Sequence, residues 1–268
     1  MKAAANDYIR SFVRERSAIV LDEGKDYLVE SRLSAVRRAR GLADMEALAS
    51  ALRRAPTSEL GREVVEALTT NETSFFRDSS CFDALTGAII PEIIETKRAE
   101  RTIDIWCGAS STGQEPYSIA MLLADRADLA GWRIRIFATD LDEQVLAKAR
   151  SGEYSALEIN RGLPAAQLAK HFTEHNGVWT LRDRIRSMVT FEQLNLARPW
   201  RAFGPMDLVL IRNVLIYFDL DTRSDVIARA RRVMRSGAYL LLGGAETAPP
   251  TPAYERVRVG RTVAYRAV

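Results

Sequence analysis

The sequence predicts an α/β chain: a small N-terminal helical domain, then a parallel-sheet domain that carries a small antiparallel β insertion. Three observations lead there. Residues 6–70 show helical spacing and no strand pattern. From residue 102, short apolar runs alternate with helical patterns, as in a parallel sheet wrapped by helices. Residues 153–187 break that alternation.

The helical part comes first. In YLVESRLSAVRRAR, Leu28, Leu33 and Val36 fall near helical spacing, and Gly41 follows as a stop. DMEALASALRRA and SELGREVVEAL predict two more helices, separated by Pro56. The sheet part begins with RTIDIWCG as a strand and PYSIAMLLADRADLAG as a helix. WRIRIFATD is the next strand, and LDEQVLAKARSGEY is a helix stopped at Gly152. After the insertion come strands MVTFEQL and MDLVLIRN, helix TRSDVIARARRVMRSG and strand AYLLLGG. YERVRVGRTVAYRAV reads as a closing hairpin around Gly260. Within the insertion, LPAAQLAKHF predicts a short helix, HNG a turn, and VWTLRDRIRSMV a small antiparallel hairpin. The expected boundaries are 1–70 for the helical domain, 71–76 for a linker and 77–268 for the sheet domain, with the insertion at about 153–187.

Composition narrows the classes. The 268 residues are 47% apolar, enough for a large core, and the net charge of +3 does not point to nucleic acid. Cys81 and Cys107 are the only cysteines, which excludes a disulfide framework and a Cys-rich zinc site. No window approaches eighteen apolar residues, and Asp7 and Arg10 break any signal-like start. A cytoplasmic location without direct membrane insertion is expected.

GASSTGQEPYS, residues 108–118, resembles a phosphate loop up to Gly113 and then departs from it. Gln114 and Glu115 stand where a P-loop has Lys and Ser or Thr. A carboxylate beside a phosphate is repulsive by roughly 4 kcal/mol at 4 Å and an effective dielectric of 20. A ligand with a ribose or a cationic group suits the loop better, and S-adenosylmethionine has both. Asp140 ends the next strand, where acids bind ribose hydroxyls in nucleotide folds. The plainer alternatives are a capping box, Thr112-x-x-Glu115, and an N-cap at Asp140 or Asp142.

TTNETSFFRD (69–78) and NVLIYFD (213–219) complete the picture, with STGQEPYSIAM and ATDLDEQVLAKARSGEY. Together they resemble the CheR-type chemotaxis receptor glutamate O-methyltransferases over nearly the whole chain. The resemblance implies a Rossmann-like, S-adenosylmethionine-dependent methyltransferase domain with S-adenosylhomocysteine as product and no metal. It implies glutamate methyl esters on the cytoplasmic domain of methyl-accepting chemoreceptors. Carried over by motif, Asn71, Thr73, Arg77, Glu115 and Asp140 would hold the cofactor. Asn195 and Leu196 would border the adenine, and Arg212 and Asn213 would close the site. Arg77 and Tyr217 would meet the reacting groups. The chain departs from the family at Gln114, where a second acid is usual, and in GGAET (243–247), which is looser. The insertion carries only Gly177 after its helix, which puts tethering through a receptor C-terminal pentapeptide in doubt.

Glutamate is ionised at neutral pH and needs no general base, consistent with only two histidines. Phe75 and Phe76 are expected to pack the domain junction. Residues 31–54 hold six arginines against Asp44 and Glu46. Arg37, Arg38 and Arg40 are candidates for docking a Glu-rich substrate, the alternative being a solvated helix face. Arg229, Arg231, Arg232 and Arg235 are expected to face solvent. Three rivals follow. HFTEH (171–175) fits an inverted zinc-peptidase pattern, but Asn176-Gly177 would end its helix. A nucleic-acid methyltransferase would share the cofactor loop but needs a stronger basic surface and stacking aromatics. A non-catalytic module could bind S-adenosylmethionine or S-adenosylhomocysteine alone.

Overall fold

The structure, a computed structural model, describes residues 2–21, 24 and 26–268. Two compact units are present: Met1–Thr70 with Ala197–Pro199 and Tyr217–Thr222, and Asn71–Leu196 with Trp200–Ile216 and Arg223–Val268.

The first unit is built on four helices: α1 (Lys2–Ser17), α2 (Asp26–Ala39), α3 (Met45–Arg54) and α4 (Glu59–Ala67). Helix α3 buries Met45, Leu48, Ala49 and Leu52, one stripe at helical spacing, and starts on an Asp44 cap. Ser58 caps α4, which buries Val64 and Val65. These meet Ile9, Phe12 and Val13 of α1 and Val29 and Leu33 of α2, all buried. Gly61 lets α4 approach closely: a Cβ there would lie 2.6 Å from the Pro56 carbonyl oxygen. Gly41, at φ +64°, ends the turn after α2, as the sequence predicts.

The second unit starts with α5 (Ser79–Ala84) and α6 (Ile90–Thr96), joined by a π-helical turn. Strand β1 (Thr102–Gly108), helix α7 (Gln114–Ala124), strand β2 (Arg133–Asp140) and helix α8 (Glu143–Ser151) follow. The insertion holds β3 (Glu153–Ser155), α9 (Ala156–Asn160), α10 (Ala165–His171), β4 (Phe172–His175), β5 (Val178–Leu181) and α11 (Asp183–Arg186). The chain then runs through β6 (Val189–Gln193), β7 (Met206–Ile211), α12 (Leu220–Arg232), β8 (Met234–Leu242), β9 (Tyr254–Val259) and β10 (Thr262–Ala267).

The main sheet has the order β6-β2-β1-β7-β8-β10-β9. Its first five strands are parallel, and β10 and β9 are antiparallel. From β1 the chain moves outward through β2 to β6 and then returns to β7 on the other side of β1. That reversal opens a ligand crevice beyond the carboxyl ends of β1 and β7. Every residue of β7 is buried, as expected for a central parallel strand covered on both faces.

The small antiparallel insertion is present as a separate three-stranded sheet, β3-β5-β4, but details of it and of two arginines change. Its hairpin joins β4 to β5 across Asn176-Gly177, not within VWTLRDRIRSMV, because both turn residues take left-handed φ (51° and 80°). Residues 183–186 form α11 instead, which buries Ile185. The HFTEH pattern spans the end of α10 and β4, so its histidines do not share a helix face. Arg229 does not face solvent: it is buried, lies 4.4 Å over the Trp200 ring and pairs with Asp225 at 2.7 Å. Its planar cation finds an aromatic face as well as a carboxylate, and that offsets desolvation. Arg235 likewise turns to Asp207 at 3.0 Å. Phe75 is a packing residue, but it packs inside the second unit, fully buried and edge-on to Tyr154 and Phe172 of the insertion at 5.0 and 5.7 Å.

Candidate active site

The loop from Gly108 to Gly113 joins β1 to α7 at the crevice. Gly113 sits at φ +92°, where a Cβ would lie 3.0 Å from Ala149 Cβ and 3.2 Å from the Tyr154 hydroxyl oxygen. Two tyrosines brace the turn: Tyr154 donates to the Thr112 carbonyl, and Tyr117 donates to the Ala149 carbonyl, each at 2.8 Å. The capping box is not formed. Gly113 occupies the N-cap position, Thr112 bonds to Gln114, and Glu115 is free to face another partner.

Asp140 and Asp142 divide their roles. Asp142 is the N-cap of α8, accepting from Gln144 N–H at 2.8 Å and Val145 N–H at 3.3 Å. Asp140 instead clamps the glycine loop. Its Oδ2 accepts from Ser111 N–H at 2.8 Å and its Oδ1 from Asp142 N–H at 3.0 Å. Asn71 joins the group from the start of the unit, donating to Asp142 Oδ2 and accepting from the Ser111 hydroxyl, both at 2.8 Å. Each Asp140 oxygen keeps a second lone pair.

Arg212 follows β7 and is the centre of the site. Its side chain is only 2% exposed. It donates to Glu115 Oε2 at 2.6 Å, to Asp78 Oδ2 at 2.5 Å and to the Arg77 carbonyl at 3.1 Å. One cation meets two carboxylates, so this cluster keeps one net negative charge. Asn213 comes next, and its N–H reaches Glu246 Oε2 at 2.7 Å. Glu246 also accepts from Val214, Ile216 and Gly243 N–H groups at 2.9, 3.2 and 2.7 Å. The GGAET stretch therefore supplies the anchor that fixes the loop after β7. Five residues along this edge, Phe76, Asp78, Ala109, Ser111 and Asn213, hold left-handed φ between 49° and 63° without being glycine.

Of the residues expected from the sequence, Asn71, Glu115, Asp140, Arg212 and Asn213 are brought together here. Leu196 is buried against the start of the loop, its Cδ2 3.5 Å from where a Gly108 Cβ would stand. Asn195 precedes it, just after Leu194 N–H bonds the Asp140 carbonyl at 2.8 Å. The Arg77 guanidinium donates to the Glu72 carbonyl at 2.9 Å. The Thr73 hydroxyl has no protein partner among the described residues. Asp78, Ser111 and Glu246 are site residues that the sequence reading missed. Asp78 lies inside TTNETSFFRD, and an acid just past the Gly-Gly end of a strand was the available signal for Glu246.

Tyr217, Arg37, Arg38 and Arg40 belong to the helical unit. The Tyr217 carbonyl accepts from Val20 N–H at 2.8 Å. Its ring borders an apolar hollow with Ile19, Leu28, Val29 and Leu68. Arg40 is engaged by Glu63 and Glu59, at 2.5 and 2.9 Å, so its charge is largely compensated within the unit. Arg37 donates to the Ala43 carbonyl and Arg38 to the Ser34 carbonyl, and neither has a carboxylate partner among the described residues.

The sheet-unit residues fit S-adenosylmethionine. Ser110 Oγ and Arg212 Nε are buried without a hydrogen-bond partner among the described residues, and a ligand with hydroxyl and carboxylate groups would satisfy them. The surplus carboxylate charge suits a sulfonium and an ammonium. The free lone pairs of Asp140 suit a ribose diol.

Burial pushes the Asp140 carboxyl up to about 6, against the pull of the Ser111 and Asp142 N–H groups. Its folded-state value is raised, so Asp140 opposes folding once ionised. The contribution of this one group to stability therefore falls as pH rises from about 4 to about 6, by roughly 3 kcal/mol on a conversion of about 1.36 kcal/mol per pH unit. Hydroxyl donors favour the ionised form, so cofactor affinity should rise with pH up to about 6 and then level off. Calorimetry with S-adenosylhomocysteine between pH 5 and pH 8 checks this. Asp140→Asn should bind weakly at every pH and lose the slope; an unchanged slope in that variant would refute the assignment.

Residues 71–263 match the family model described as CheR methyltransferase, SAM binding domain. Residues 6–69 match the one described as CheR methyltransferase, all-alpha domain. The chain is 36% identical to the chemotaxis protein methyltransferase Cher2 of Pseudomonas putida, with 97% of each chain covered. It is 37% identical to chemotaxis protein methyltransferase 1 of Pseudomonas aeruginosa, with 100% of each covered. Identity to the chemotaxis protein methyltransferase of Escherichia coli is 35%, over 89% of this chain and 82% of that one.

Proposed function

Because the chain belongs to the CheR methyltransferase family and is an S-adenosylmethionine-dependent methyltransferase, we propose that it esterifies glutamate side chains on the cytoplasmic domain of methyl-accepting chemoreceptors. The observation that carries the choice of acceptor is the lack of a free histidine or thiolate base at the site among the described residues. His171 is buried against Asp125 and Arg184, and burial lowers its basicity. His175 sits on the β4–β5 hairpin beside Asn176. Burial pushes the Cys81 thiol up to about 11 and raises the Cys107 thiol well above the usual thiol range. An acceptor that is already an anion at neutral pH suits such a site, and glutamate is one.

S-adenosylmethionine, when bound, supplies a methyl group on a positively charged sulfur. A glutamate oxygen attacks that carbon, the new O–C bond forms as the S–C bond breaks, and the sulfur leaves as a neutral thioether. The protein's contribution is alignment, which supplies about 7 to 11 kcal/mol in favourable cases. Asn71, Thr73, Glu115, Asp140, Asn195, Leu196, Arg212 and Asn213 hold the donor. Arg77 has donors beyond the one on the Glu72 carbonyl and orients the acceptor carboxylate by charge-assisted hydrogen bonds. Tyr217 is assigned to the reacting groups by its motif, NVLIYFD. Arg37 and Arg38 steer a Glu-rich segment, Arg40 being engaged elsewhere. Both cysteines are free, which suits a reducing cytoplasm, and no helix among the described residues is long and apolar enough to cross a membrane. A nucleic-acid substrate is not favoured, since the relatives act under chemotaxis names.

The test is incubation with radiolabelled methyl donor and receptor cytoplasmic fragments, followed by alkaline release of methanol. Base-labile label on the receptor is expected; base-stable label would refute a carboxyl ester. In the same assay Arg77→Ala should lose turnover while keeping most of its affinity for S-adenosylhomocysteine. Equal loss of both would remove Arg77 from acceptor orientation.

A further inference from the structure

A second cleft opens on the same edge of the sheet, beyond the ends of β7 and β8 and the start of β10. Its volume is about 190 Å³, and its walls include Asp78, Arg212, Gly244, Arg256, Arg261 and Tyr265. Asp78 and Arg212 belong to the ion-pair cluster described above, so the cleft adjoins that cluster.

The charges of this cleft do not cancel. Arg212 is engaged by Glu115 and Asp78. Glu246, also on the wall, is engaged by four backbone N–H groups. Arg261 has a single acid, Asp83, at 3.4 Å, with both side chains at least 70% exposed. Such a pair contributes little. Arg256, opposite Tyr265 in the β9–β10 ladder, has no acid partner among the described residues. The Tyr265 hydroxyl accepts from Ala248 N–H and keeps its own proton to donate. What remains for a ligand is two guanidinium groups and a hydroxyl.

We propose that this cleft is an acceptor subsite, which binds a second carboxylate side chain of the substrate segment beside the glutamate being methylated, through Arg256 and Arg261. The inference rests on the proposed function. A carboxylate fits better than a phosphate because the Asp78 and Glu246 carboxylates on the walls disfavour a dianion. The shared wall residues place the subsite within reach of a neighbouring residue on an acceptor helix, where one turn rises about 5.4 Å. Arg256 and Arg261 then read the sequence around the methylation site and set which glutamates are modified.

The experiment uses the full chain, a receptor cytoplasmic fragment and a panel of that fragment in which each acid near the methylated glutamate is changed singly to its amide. Arg256→Ala should raise KM for the unaltered fragment by about fivefold at low salt, the size of a partly exposed ion pair of about 1 kcal/mol. KM for S-adenosylmethionine and kcat should stay within about twofold. One amide variant of the fragment should raise KM equally with the unmutated enzyme and be insensitive to Arg256→Ala. Gly244→Leu is the second variant. A Cβ at Gly244 meets nothing within 4 Å, so the larger side chain fills the cleft without a clash at its base. It should raise KM for the acceptor in the same way. If Arg256→Ala changes no KM, or affects every fragment of the panel alike, the subsite is refuted while the proposed function stands. Arg256-dependent competition by inorganic phosphate, with no dependence on any neighbouring acid, also refutes it. No methyl transfer by the unmutated enzyme sinks both readings.

Discussion

Replacing Arg212 by alanine is expected to lower unfolding free energy by about 3 to 5 kcal/mol and to abolish measurable binding of S-adenosylhomocysteine. The reason is asymmetry. A buried ion pair adds little over an apolar pair of the same shape, but removing one partner leaves a buried charge without compensation. Glu115 is the more costly orphan, with its side chain 13% exposed; Asp78 at 43% can be screened by water. Arg212→Lys should recover only part of the loss, because one ammonium cannot present the guanidinium fork to Glu115, Asp78 and the Arg77 carbonyl together. Adding Glu115→Gln to Arg212→Ala should restore stability but not binding. Urea melts and calorimetry on the four proteins check this. A loss under about 1 kcal/mol for Arg212→Ala would show that the cluster is not a buried ion pair.

Glu246→Ala is expected to have an effect of similar size by a different route. One carboxylate satisfies N–H groups from two chain segments, Asn213 to Ile216 and Gly243. Hydrogen bonds to a charged acceptor contribute about 1.5 to 3 kcal/mol each, and these share one acceptor, so the sum is less than additive. The adjoining cleft admits water, which offsets some of the loss. A net destabilisation of about 3 kcal/mol is expected, with faster amide exchange at Asn213, Val214 and Gly243 than elsewhere on the sheet. Glu246→Gln should fall between the two, since its NH2 group faces donors. Unchanged exchange at those three amides would refute the role.

The alternation of strands and helices was legible because the central strands are short and mostly apolar, as LVLI in β7, and a helix stop such as Gly152 separates them. Site residues were legible where a local pattern carried them, as Asp140 did at the end of β2. The choice between Glu115 as a cap and Glu115 as a ligand group was not. It depends on Arg212, 97 positions later in the chain. Glu246 was undervalued for the same reason, since its four donors are neighbours only after β7 and β8 pair. The insertion was misread in detail because VWTLRDRIRSMV alternates like a strand, while the left-handed Asn176-Gly177 pair fixed the turn earlier. Arg229 was misplaced because a charge pattern does not reveal an aromatic face in a distant loop.

The left-handed backbone along the crevice makes cofactor supply part of the protein's durability. Such conformations cost of order 1 to 3 kcal/mol each for most side chains and persist only where the surroundings enforce them. Phe76, Asp78, Ala109 and Ser111 carry that cost without glycine's freedom. The crevice rim therefore stores strain that a bound ligand would help to hold. A ligand at a hundred times its dissociation constant adds about 2.7 kcal/mol to the folded state. Starving a cell of methyl donor would then shorten the lifetime of the enzyme as well as slow its reaction.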